Sequence, residues 1–130
     1  MKTFQLLLPA AILLLSSYVY AGAFKIAPVD IDFDKQWAQG NLIAARFSDN
    51  EEERIGCAVG YGEKGQYAYC EASLGTGKDA ICTTFDPAMI DTIASINTFS
   101  FVYFQWDKDG LCTHVTVATR SIHIPSKLKP

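Results

Sequence analysis

The densest apolar pattern of the chain lies between Thr98 and Thr119. Residues 99–106, FSFVYFQW, are almost all aromatic or β-branched, which suits a pleated and largely buried strand. Asp107-Lys108-Asp109-Gly110 supplies turn chemistry, with Gly110 able to take the positive φ of a tight hairpin. Residues 111–117 then alternate apolar with small or polar side chains and predict the return strand. Two registers are open. A symmetrical four-residue loop sets Cys112 opposite Gln105; a loop with Gly110 in a bulge sets it opposite Trp106, and the Asp-Gly ending favours the second. In that register Val102, Phe104 and Trp106 join the core, while Phe101 and Tyr103 share the other face with Tyr67 and Tyr69. A one-residue slip would reverse the assignment.

Upstream, glycine-bearing turns at 62–65 and 75–78 divide a meander of three short strands over 55–61, 66–73 and 80–85. Cys57 and Cys70 fall symmetrically about the first turn, and Cys70 and Cys82 about Thr76. Without a bulge, all three cysteines line one face together with Ala68, Ala72 and Ala80. Asp86-Pro87 then signals a helix start, with Asp as N-cap and Pro in the first turn. Met89, Ile93 and Ile96 recur at helical spacing, supported by Ile90 and Ala94, so the helix should pack on the Cys/Ala face. Asn97 reads as its left-handed stop.

Before the meander, Val29, Ile31 and Phe33 alternate with Asp30, Asp32 and Asp34, predicting an edge strand or extended arm within 24–39. The three carboxylates read as a solvated face that discourages edge pairing rather than a cation site. Gly40 reads as a break, and 42–47 as a short strand or a helical turn. Residues 48–53 form a polar, acidic loop. The tail, 121–130, carries Pro125 and should trail off. Together these predict an α+β fold: a twisted antiparallel sheet of about five to six strands with one short helix on one face.

Lys2, the apolar run over 6–15 and the small-x-small sequence Val19-Tyr20-Ala21 predict a signal peptide over 1–21 and a single exported domain over 22–130. Ala21-Gly22-Ala23 offers a second cleavage frame, which would start the chain at Phe24. The apolar run falls short of the ~20 residues that span a bilayer, so no membrane span is expected in the mature chain. The expected location is the periplasm or the exterior. Formal charge is −3, and removing Lys2 leaves the side chains at about −4. The basic residues are scattered singly, which argues against nucleic acid as a partner.

Cys57, Cys70, Cys82 and Cys112 lie 13, 12 and 30 residues apart, without the close pairs that zinc needs. In an exported chain they predict two disulfides, with three pairings open and the sequential one, Cys57–Cys70 and Cys82–Cys112, favoured. The elements Ile55-Gly56-Cys57, Tyr69-Cys70-x-Ala72, Cys82-Thr83-Thr84-x-Asp86-Pro87 and Phe104-x-Trp106-Asp107-x-x-Gly110-x-Cys112 resemble a pattern in small exported bacterial proteins, a four-cysteine family without an assigned activity. The resemblance spans about residues 54–119 and leaves the arm at 24–47 outside. It implies a shared fold and an exported location, and it carries no catalytic residues.

Candidate chemistry is sparse. His114 could serve a small hydrolase beside a carboxylate or hydroxyl, but no Gly-x-Ser-x-Gly elbow accompanies it. The thiols have a structural use, and Glu63, Glu71 and Asp107 form no marked carboxylate pair. Gly60-x-Gly62 and Gly75-x-Gly77 are turn glycines rather than phosphate loops. Asp107-x-Asp109-Gly110 is a fragment of a calcium loop without its downstream Glu, so neither metal nor cofactor is expected. What rises above background is the aromatic content, with eight Phe, six Tyr and two Trp. Tyr67, Tyr69 and Tyr103, mixed with Thr83, Thr113 and Ser100, would suit a surface for another exported protein or a glycan. The competing reading has 24–47, with Phe33 and Trp37, covering that face as a second layer. The expected function is a non-enzymatic binding protein, an inhibitor or immunity-type partner of another exported protein. The alternatives are a small hydrolase using His114 and a structural accessory of the envelope without a tight ligand.

Overall fold

The structure is a computed structural model and describes residues 23–125. The signal peptide expected over 1–21 and the last five residues of the tail lie outside the described residues. Period-two alternation yields the strands β1 (Asp30–Asp32), β2 (Trp37–Asn41), β3 (Arg54–Gly62), β4 (Gly65–Ser73), β5 (Ala80–Thr84), β6 (Phe101–Trp106) and β7 (Cys112–Ala118). Two short helices, α1 (Leu42–Arg46) and α2 (Pro87–Ala94), and a 3-10 turn at Ser121–His123 complete the described chain.

The strands form two antiparallel sheets, one ordered β3-β4-β5 and the other β1-β2-β6-β7. This corrects the single sheet expected from the sequence. The arm at 24–47 supplies β1 and β2, which build outward from the free edge of β6. On the other side, β5 meets β7 at one parallel bridge, Thr83 with Leu111, where the Thr83 N–H donates to the Gly110 carbonyl at 3.0 Å. The ladder stops there because β5 ends at Thr84 and Asp86-Pro87 turns the chain into α2.

Register in the meander follows the turn symmetry: Cys57 faces Cys70, Cys70 faces Cys82, Val59 faces Ala68 and Ala72 faces Ala80. In the last hairpin Trp106 faces Cys112 and Gln105 faces His114, so Thr113 is the extra residue of a bulge. Gly110 has φ 76°, the left-handed conformation that the tight turn requires. Both sheets turn one face to a shared core, with Ala68, Cys70 and Cys82 from one and Val102 and Phe104 from the other fully buried. Burying side chains such as Val102 and Phe104 stabilises by about 1.5–3 kcal/mol each. α2 begins as its sequence demands, the Asp86 carboxylate accepting from the Met89 N–H at 2.9 Å. Its buried Ile90 and Ile93 pack against β3, β4 and β7, so one helix covers the core side of both sheets.

Asn97 does not stop α2. The helix ends at Ala94, and Gln36 is the non-glycine residue at positive φ among the described residues. Asn97 instead braces the next loop, accepting from the Phe99 N–H and donating to Thr119 Oγ1. Gly40 does not break the chain either; it sits inside β2, where an added Cβ would lie 3.1 Å from Val29 Cα. A side chain there would push away the arm residue that packs on the strand. Within the described residues the tail does not trail off: Ser121–His123 form the 3-10 turn and His123 is buried.

Disulfides join Cys57 to Cys70 within the meander and Cys82 to Cys112 between the sheets. Their sequence separations are 13 and 30. Loop entropy assigns about 3 kcal/mol to the first and about 4 kcal/mol to the second. Because the second also joins sheets with one bridge between them, Cys82→Ala/Cys112→Ala should lower urea stability more than Cys57→Ala/Cys70→Ala. An equal or smaller loss would contradict the joining role.

Candidate functional site

Both sheets present an outward face. On the three-stranded sheet it comprises Gly56, Ala58 and Gly60 of β3, Tyr67, Tyr69 and Glu71 of β4, and Ile81 and Thr83 of β5. Leu111 joins them through its bridge to Thr83. β3 contributes almost no side chain here, and the Tyr67 ring leans over the vacancy, 2.7 Å from where a Gly60 Cβ would stand. Tyr69, Ile81 and Leu111 remain 38%, 53% and 46% exposed in one neighbourhood. At one end Arg54 binds Asp79 at 2.6 Å and lies 3.9 Å from Glu71, all three partly exposed. The result is an apolar and phenolic centre with a charged margin.

The outward face of the four-stranded sheet is different. Trp37 and Tyr103 stack with centroids 6.2 Å apart, and the Tyr103 ring meets His114 edge-on at 5.7 Å. Gln39 and Gln105 flank this row by register. Tyr103 therefore stands on another sheet from Tyr67 and Tyr69, and the expected common face is divided in two. The arm does not cover the aromatics as a second layer. Its Trp37 extends the row from within the same sheet, while Phe33 packs edge-on against Trp106 at 6.2 Å and carries Lys78 Nζ 4.1 Å above its ring.

His114 is exposed, and its Nε2 lies 2.9 Å from Thr116 Oγ1, a hydroxyl rather than the carboxylate of a charge-paired base. Asp107 Oδ1 accepts from the Asp109 and Leu111 N–H groups, so the calcium-like sequence is spent on the turn. Asp32 likewise accepts from the Lys35 N–H.

A third feature escapes the sequence patterns. A cavity of about 330 Å³ opens between the arm (Phe24, Ile26, Pro28), α1 with Phe47, and the 3-10 turn with His123. Asn41 and His123 line it and are 1% and 5% exposed. Asn41 Oδ1 accepts from the Ala27 N–H at 2.7 Å, which fixes the orientation of the amide. Asn41 Nδ2 and both His123 nitrogens have no hydrogen-bond partner among the described residues. His123 also stacks on Phe101, with centroids 5.7 Å apart. Burial pushes the His123 pKa below its ordinary value, the Arg120 charge pushes it further and Lys25 adds to that, while the nearby Lys25 backbone offsets only part. The apolar flanks Ile122 and Ile124 are the one sequence signal that could have marked His123 as buried.

Comparison with protein-family models, with curated proteins and with solved structures gives no match.

Asp49 and Glu53 also line the cavity, and burial disfavours the charged form of His123, which sits beside Lys25 and Arg120. Its contribution to stability is complete above the unfolded pKa of about 6.5 and falls as pH drops through the lowered folded value. Urea titrations across that window should show a loss that His123→Phe, which keeps the stacking on Phe101, largely removes. An identical loss in the variant would contradict the assignment.

Proposed function

We propose that the protein is an exported, non-enzymatic binding protein that captures another exported protein on the outer face of its three-stranded sheet. Its export, with residues 1–21 removed as a signal peptide, is supported by the leader pattern and by two disulfides, which persist in oxidising compartments. One observation carries the binding reading: Tyr69, Ile81 and Leu111 are exposed side by side on a strand face bordered by Arg54, Glu71 and Asp79. Protein interfaces combine such an apolar, tyrosine-bearing centre with a polar rim. The partner is a protein with an apolar patch and a basic margin, because the mature chain carries about −4. The four-cysteine resemblance belongs to the same proposal, as a shared exported scaffold. His114, facing a hydroxyl and a ring edge, favours binding over hydrolysis.

A second reading has its own support. Trp37 and Tyr103 form a stacked platform flanked by glutamines, the kind of surface on which a sugar ring lies. Oxidised mature protein immobilised as bait in periplasm and culture medium separates the two. Wild type and Tyr103→Ala should retain one stoichiometric partner, while Tyr69→Ala/Ile81→Ala lowers its affinity at least about tenfold. Capture unaffected by the double variant would overturn the assignment. Oligosaccharide binding lost in Tyr103→Ala would replace it with the glycan reading.

A further inference from the structure

The cavity beneath the arm lies away from the strand face assigned above, and its chemistry is that of a small-molecule site. Its walls are mainly apolar, and three of its side chains, Phe24, Ile26 and Phe47, are large hydrophobics left 45%, 60% and 39% exposed. A volume of about 330 Å³ is at the lower end of ligand pockets, which combine apolar walls with a few placed polar groups.

The polar groups are Asn41 and His123. A buried polar atom without a partner costs about 1–3 kcal/mol, and a fold selected only for stability would replace it. Asn41 cannot turn its amide without releasing the Ala27 N–H, so Nδ2 is a committed donor awaiting an acceptor. A neutral His123 adds one acceptor, and one donor that the Lys25 backbone approaches without full hydrogen-bond geometry. These nitrogens are withdrawn from solvent on two residues that line the cavity, so a molecule seated there, with a small side-chain adjustment, supplies the partner they lack.

The charged groups weigh only modestly against ions of either sign, since Asp49 is exposed and screened by solvent and only Glu53 is half-buried. Glu53 already accepts from the Val29 N–H at 2.9 Å and from the Ser48 hydroxyl, so it offers little to a cationic amine. An anion would meet Glu53 and Asp49 on the cavity wall, whereas Lys25 and Arg120 line the neighbouring groove. We propose that this cavity binds a small uncharged molecule with an apolar body and one hydrogen-bond-accepting oxygen, an alcohol or a carbonyl, held by Asn41 Nδ2 and His123.

The test is titration of the oxidised mature protein with benzyl alcohol, benzamide, toluene and benzoate, followed by amide and side-chain NMR. Benzyl alcohol and benzamide should saturably shift the Asn41 side-chain amide, the His123 ring and the amides of Phe24, Ile26 and Phe47. Toluene, lacking the acceptor, should bind at least about tenfold more weakly, and benzoate should be disfavoured similarly. Asn41→Asp keeps the oxygen that accepts from Ala27 and removes the donor; it should lose the preference for benzyl alcohol over toluene. Ile26→Ser, at an exposed position, should weaken all four probes and covers the case in which Asn41→Asp does not fold. No shift at Asn41 or His123 up to 10 mM, about the weak end of fragment binding, would overturn the proposal, as would equal binding of toluene and benzyl alcohol.

Discussion

Cys82 and Cys112 join two sheets that share one bridge of backbone pairing, and the interior depends on that joint. Behind it lie Phe104, Val102 and Ala68, from both sheets, closed over by Ile90 and Ile93 of α2. The Thr83 N–H to Gly110 carbonyl bond stands beside the disulfide and fixes where β7 begins relative to β5. A meander of short strands buries too little alone, and the last hairpin leaves an apolar face uncovered without it. Closing the chain between them holds the two halves in one core, which a domain this small cannot secure by apolar burial alone.

That joint also decides what each outer face can do. Splitting the strands between two sheets carries Tyr103 away from Tyr67 and Tyr69 and gives each a different neighbourhood. Small residues on β3 leave Tyr69 exposed, with Ile81 exposed on β5 at its other side, while Trp37 and Tyr103 stack on each other with glutamines alongside. The arm's packing on Gly40 brings Ala27 to Asn41, and with the turn at His123 it frames the cavity. Three chemically distinct surfaces thus follow from one constraint on topology.

Legibility in the sequence tracked the range of the interactions involved. Turn symmetry around Glu63-Lys64 and Thr76 fixed the alignment of Cys57, Cys70 and Cys82, because hairpin register is local. The Asp86 cap and the Trp106–Cys112 pairing were readable for the same reason. The division into two sheets was not, since it depends on β2 finding the edge of β6 across about sixty intervening residues. Gly40 read as a breaker because its close neighbour, Val29, approaches through the tertiary fold. Gln36 at φ 57° carried no signal, being a residue type that seldom takes that conformation. Asn41 and His123 were missed because an amide and a lone imidazole have no periodicity; only the cavity that unites them gives them meaning.

The most direct test of the joint is native-state hydrogen exchange at the Thr83 amide. If the two sheets form one cooperative unit, Thr83 should exchange as slowly as the amides of Val102 and Phe104 in the oxidised protein. In Cys82→Ala/Cys112→Ala its protection should collapse ahead of theirs. Early exchange of Thr83 in the intact protein, with Val102 and Phe104 still protected, would show that the sheets open independently and would contradict this account.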